Sequence, residues 1–360
     1  MMGHDVTILA PVYSLIGYGY DGVKPVGTYF LPDGSKVVRL PSFFGNNRVI
    51  DSHLHLVRGL KDAILVETPD LLFIHDVCSL NFLCVTSIKK KLPHIKVVYD
   101  NHSDLVNSLH SPLTRFLHKG VYRYLLIPRL VNNADLFYGV TPSRCSFLHD
   151  IYKIPYSKIK LLVMGADDEK MMLENRDVIR SEVRERYHIS EHDFLIVTGG
   201  KIDKDKNIHV LAHAVNSIKN EKLKLLVFGK IKEEMQPFFE AEKSTNILTI
   251  GWMDSDKVYE LFYAADLIVF PGLHSVLWEQ AVASKTPCAF SKMDGFDHVN
   301  VNDNCILMTG KDSNYYARML MEILDSDEKY HSLKANSNSD ATEQFYYSKI
   351  ARQVLTDVKL

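Results

Sequence analysis

The stretch 265–287, ADLIVFPGLHSVLWEQAVASKTP, limits the folds open to this chain. Its apolar run over 267–270 has the length and composition of a strand buried on both faces of a parallel sheet. Pro271 and Gly272 stop the run, and a helix is expected over 276–284 with Ser275 as its cap. A helix that begins just past the carboxyl end of a strand turns free backbone N–H groups into a crevice, where open α/β sheets hold anions. Glu279 falls one turn inside this helix, within reach of the hydroxyls such a ligand carries. Many strand–turn–helix units bind nothing, so the argument needs cations from elsewhere in the chain.

The stretch 197–208, VTGGKIDKDKNI, supplies them. A strand ends on Gly199 and Gly200, where backbone can approach a ligand closely. Lys201 and Lys206 then bring two ammonium groups to the sheet edge that carries the 265–287 turn. Alone, this loop reads as a solvated charged turn. Together with the turn and Glu279 it reads as a site for a diphosphate joined to a sugar.

Around these two stretches the chain alternates short apolar runs with amphipathic segments. In the first half, strands are expected over 6–10, 36–40, 69–76, 95–99, 135–140 and 158–163. Helices are expected over 50–66 and 80–92, through most of 105–131, and after Thr141. Residues 166–190 are charged and read as a joint. The second half repeats the pattern, with strands over 193–198, 224–228, 247–250, 266–270 and 287–290 and helices over 208–219 and 255–264. An apolar stripe through Phe345, Tyr346, Tyr347, Ile350, Ala351 and Leu355 marks a last helix over 343–358. The implied fold class is α/β, with two parallel sheets each covered by helices. The chain enters its first strand almost at once, so the strand and helix that open a doubly wound domain are expected to be missing.

At 360 residues, with 46% hydrophobic and 24% charged positions, the chain suits two soluble domains. A net charge of -2 excludes a general polyelectrolyte binder. Five cysteines without a Cys-x-x-Cys pair fit free thiols in a reducing compartment, and no apolar run is long enough to span a bilayer. The expected location is the cytoplasm, with no signal peptide at the start. Residues 86–130 hold eight Lys and Arg against two Asp, interleaved in their second part with Phe116, Tyr122, Tyr124 and Leu125. Such a surface suits either a solvated face or contact with an anionic bilayer through 113–130. No nucleic-acid module accompanies the charge.

The second half resembles the donor domain of the family 4 glycosyltransferases, retaining enzymes of the GT-B fold. The resemblance rests on Lys201 and Lys206 after the glycine pair, on Ile250-Gly251-Trp252, and on Glu279. It implies two Rossmann-like domains facing across a cleft: an acceptor-side domain over 1–165 and a donor domain over 166–342. It also implies that 343–360 returns to the first domain. By the same resemblance Lys201 and Lys206 hold the diphosphate, and Gly251 and Trp252 meet the nucleotide base. Glu279 takes the ribose hydroxyls, and Gly199, Gly200, His274, Ser275, Val276 and Leu277 line the donor. His102, at the end of the strand over 95–99, matches a histidine near the reacting sugar. Glu279 matches the last acid of the family's Glu-x7-Glu motif, whose first Glu would stand at position 271, which is Pro271 here.

The implied reaction moves a sugar from a nucleotide diphosphate sugar to a hydroxyl of a glycan or lipid-linked acceptor, with retention, in surface polysaccharide synthesis. Asp203-Lys-Asp205 and Asp254-Ser-Asp256 are not taken as metal motifs, and neither metal nor cofactor is expected. Two alternatives stand beside this reading. One is a non-catalytic nucleotide-sugar-binding remnant, the other a GT-B sugar-nucleotide epimerase.

Overall fold

A computed structural model describes residues 3–16, 19–43 and 56–360. The chain divides into two compact units, Met1–Leu161 and Leu162–Leu360.

In unit 1, β1 (Thr7–Pro11) pairs in parallel with β5 (Lys36–Leu40), and β4 (Gly27–Phe30) runs antiparallel along the other side of β5. β2 (Tyr13–Ile16) and β3 (Gly19–Val23) form a separate antiparallel ribbon. β6 (Leu71–Ile74), β7 (Lys96–Asn101), β8 (Leu136–Gly139) and β9 (Ile159–Leu161) make a parallel sheet in that order. Val97, Val98, Tyr99 and Phe137 are fully buried at its centre. Among the described residues no ladder joins β1 to β6. The expected helix over 50–66 is instead Leu60–Glu67, and residues 50–55 of that expectation lie outside the described residues. The β2–β3 ribbon and β4 were not expected. Their Gly- and Tyr-rich stretch lacks the apolar runs that mark buried strands, and β4 is exposed along its whole length.

Unit 2 is built on one six-stranded parallel sheet, ordered β12-β11-β10-β13-β14-β15. The strands are β10 (Phe194–Ile202), β11 (Leu223–Ile231), β12 (Ile247–Gly251), β13 (Leu267–Phe270), β14 (Cys288–Ser291) and β15 (Cys305–Met308). β15, at the sheet edge, was not expected, because its four-residue run is flanked by polar residues. β10 continues past the expected end at 198 because Gly200 and Gly229 lie in register at φ 107° and 109°. A Cβ on Gly229 would stand 1.9 Å from the Gly200 carbonyl oxygen, so the ladder runs on only where neither residue has one.

The stretch read as a joint belongs to unit 2. Helix Arg176–Arg186 sends Arg180 to Asp266 at 2.7 Å. One helical turn on, buried Arg184 bonds the Ala264 carbonyl at 2.9 Å and Asp266 at 3.3 Å. The observed division after Leu161 precedes the expected boundary at 165 for a related reason. Ala166 N–H donates to the Phe345 carbonyl, Ala166 and Tyr346 form a bridge, and Ser348 bonds Asp168. These contacts fasten 165–168 to the segment that leads into the last helix, Tyr347–Val358, inside unit 2.

Candidate functional site

At the carboxyl edge of the unit 2 sheet, the turn after β13 is pinned from several sides. The Pro271 carbonyl accepts from Asn207 Nδ2 at 3.2 Å, Ser291 Oγ at 2.6 Å and Tyr316 Oη at 3.2 Å. A Cβ on Gly272 would fall 2.3 Å from the Asp205 oxygen and from Lys206 Cα, so the turn rests directly on the basic loop. Leu273 N–H donates to Asp205 O at 3.2 Å. The two stretches singled out in sequence therefore meet. Gly199, Gly200 and Lys201 end β10 beside them, and a Cβ on Gly200 would come within 2.9 Å of Leu277 Cδ1. Gly251, at φ 74°, ends β12, two strands away from β10, and Trp252, 61% exposed, follows it.

Three side chains there differ from expectation. Lys206 turns its ammonium onto the carbonyls of Leu273 and His274, the latter at 3.4 Å. Burial lowers its pKa against the pull of Asp203 and Asp205. Ser275 does not cap. The helix is Leu277–Ala283, its N-cap residue is Val276, and no side chain caps it. Ser275 contributes only its carbonyl, which accepts from Trp278 N–H at 3.0 Å. Glu279 is fully buried, and its Oε1 lies 2.8 Å from both His274 Nε2 and His298 Nε2. Burial would raise the Glu279 pKa, but the two imidazoles outweigh it and hold the carboxyl at about 2. Its other oxygen, Oε2, is buried with no hydrogen-bond partner, as is His298 Nδ1.

His298 was missed in sequence. It sits on the short 3-10 turn Asp297–Val299 after β14, which is the neighbour of β13, so both turns emerge at one edge. A histidine in the loop after an adjacent parallel strand is the signal that could have found it. The two Asp-x-Asp stretches hold ordinary partners: Asp203 lies 3.6 Å from Lys232, and Asp256 lies 3.1 Å from Lys170. Asp254 occupies the N-cap position of helix Ser255–Ala264 without a side-chain cap bond.

In unit 1 the strand ends place His102 beside a second histidine. Asp100 Oδ2 lies 2.9 Å from His75 Nδ1 and 3.3 Å from His102 Nε2. Asp100 is buried, yet its carboxyl is held well below the usual range, burial being outweighed by His102, His75 and the Asp76 N–H. The Asp100 carboxylate in turn raises the His75 pKa.

The fold is of the GT-B class, with an α/β unit on parallel strands in each half. The HepE (Alr3699) protein of Anabaena in complex with UDP aligns with a TM-score of 0.66 at 14% identity, over 90% of this chain and 86% of that one. Sucrose-phosphate synthase from Thermosynechococcus elongatus aligns with a TM-score of 0.67 at 15% identity, over 98% and 88%. The catalytic domain of starch synthase IV from Arabidopsis thaliana, bound to ADP and acarbose, gives 0.66 at 13% identity, over 99% and 92%. No curated protein matches in sequence. Residues 179–340 match the family model described as Glycosyl transferases group 1, so unit 2 carries a glycosyltransferase group 1 domain.

Proposed function

We propose that this chain is a retaining, family 4-type glycosyltransferase. It moves a sugar from a nucleotide diphosphate sugar to a hydroxyl of a glycan or lipid-linked acceptor in surface polysaccharide synthesis. The observation that carries the reading is that Gly199, Gly200, Lys201, Lys206 and the 271–276 turn come together inside the glycosyltransferase group 1 domain. Solved relatives of the same fold were captured with UDP, with UDP-glucose and with ADP. The diphosphate would lie against Lys201 and Lys206, whose fixed charge stabilises the leaving group without a divalent ion. His102 would sit near the reacting sugar and Trp252 against the base. Glu279 would reach ribose only after the turn carrying His274 opens, since its carboxylate is buried.

The enclosed Glu279 and the internal engagement of Lys206 favour one second reading, a chain that binds a nucleotide sugar without turning it over. A screen of nucleotide sugars for thermal stabilisation, in EDTA, followed by product detection with the stabilising donor, separates the two. One donor should raise the melting temperature and turn over. Lys201→Ala, which leaves the Lys206 contacts to the turn in place, and Lys206→Ala should each weaken that donor by about 2–5 kcal/mol. Lys206→Ala should also cost about 1–3 kcal/mol of stability through the lost carbonyl contacts. Donor affinity within twofold of wild type in both variants would end the proposal.

A further inference from the structure

His75, Asp100 and His102 meet at the carboxyl ends of β6 and β7, strands held in register by Ile74 beside Tyr99. The Asp76 N–H donates to Asp100 Oδ1 at 2.8 Å, which fixes the carboxylate with Oδ2 toward both imidazoles. The two rings lie 4.5 Å apart, tilted by 57°. Behind them Asp100 is buried, but His75 is 73% and His102 35% exposed, so the cluster opens to solvent on the side away from the carboxylate.

We propose that His75 Nδ1, Asp100 Oδ2 and His102 Nε2 bind one divalent ion of the zinc class, with water completing its coordination. Two imidazoles and one carboxylate form the ligand set of open zinc sites. Donors bound tetrahedrally at about 2.0–2.1 Å stand roughly 3.3 Å apart. The Asp100–His102 pair has that spacing at 3.3 Å, and the Asp100–His75 pair, at 2.9 Å, reaches it by a small turn of an exposed ring. Imidazole nitrogen selects Zn²⁺, Co²⁺ or Ni²⁺ over Mg²⁺ and Ca²⁺, which take oxygen. The Asp76 amide is the kind of outer contact that orients a ligating carboxylate. The other trio of this composition, His274, Glu279 and His298, is 3%, 0% and 4% exposed, which leaves no side for water. The inference does not rest on the proposed transfer. It implies that a bound ion would occupy His102, so the ion would compete with that residue's role rather than serve it.

Calorimetric titration of Zn²⁺ into the full chain, without substrate, tests it, with Co²⁺ absorption reporting the ligand geometry. One ion per chain should bind, and Asp100→Asn and His102→Ala should each weaken binding at least about tenfold. Asp100→Asn also disturbs a buried contact. His75→Gln, at an exposed position, should therefore weaken binding similarly while the melting temperature stays at the wild-type value. Absence of saturable uptake, wild-type affinity in His75→Gln, or an ion lost only in His298→Gln would each overturn the assignment.

Discussion

Glu279 shows how far a residue's role depends on its surroundings. Its place one turn into a helix suggested a group open to ligand hydroxyls, but the folded chain closes two histidines over it. A pH dependence follows from its depressed pKa. The folded value of about 2 lies below the ordinary glutamate value of 4.5, so the unfolded chain takes up this proton first as pH falls. The stabilisation is thus complete above about pH 4.5 and disappears as pH falls through that value toward 2, a contribution on the order of 3 kcal/mol. Glu279→Gln should be less stable than wild type near neutral pH, and urea unfolding should find the gap narrowing below about pH 4.5. A gap that is the same at both ends of that range would show that the carboxylate's charge does not act this way. Lys201 and Lys206 were legible because their spacing after a glycine pair is local. His298 was not, since 19 residues separate it from Glu279 and only the pairing of β13 with β14 brings their loops together.

Among the elements, the helical stretch after Ser111 carries its own prediction. Helix Pro112–Phe116 runs into a wider π-helical segment, Leu117–Leu126, that ends with Ile127 N–H donating to Tyr122 O. A helical reading of this region was available from sequence, but the wider winding was not. Leu113, Phe116, Tyr124 and Leu125 are between 58% and 67% exposed, and Arg123 lies over the Tyr124 ring at 5.0 Å. These large apolar groups do not form the core stripe that a merely solvated face would cover. Leu126, Ile127 and Leu130 do that. Exposed apolar side chains among Arg115, Lys119 and Arg123 suit the surface of an anionic bilayer, each basic group adding about 1 kcal/mol. No described helix is long and apolar enough to cross one. Flotation with vesicles containing phosphatidylserine should carry the protein upward, and a Leu113→Ser, Phe116→Ser double variant should remain at the bottom. Equal flotation of both proteins would remove 113–130 as the contact.

At the scale of the whole chain, the two units differ in how their strands are joined. Unit 2 pairs six strands in one sheet, while the described strands of unit 1 fall into sheets of three, two and four. A small sheet has proportionally more unpaired edge, and Val6, Ile8 and Phe73 are 52%, 40% and 42% exposed near the edges of β1 and β6. Unit 1 should therefore open at lower free energy. Amide hydrogen exchange should be faster at Val97–Tyr99 than at Leu267–Val269, and equal protection would refute the difference. The sequence by itself determined the alternation of strands and helices, the places of β5, β13 and the helix beginning at Ser255, and the two stretches that meet at the unit 2 edge. It could do so because burial of apolar side chains at period two or 3.6 is written within a few consecutive residues. Only the tertiary structure decided that Glu279 faces two histidines, that Lys206 holds the turn, and that Asp100 joins His75 to His102. Those contacts depend on strand register and on how far side chains reach between loops distant in sequence, and no single run of residues encodes either.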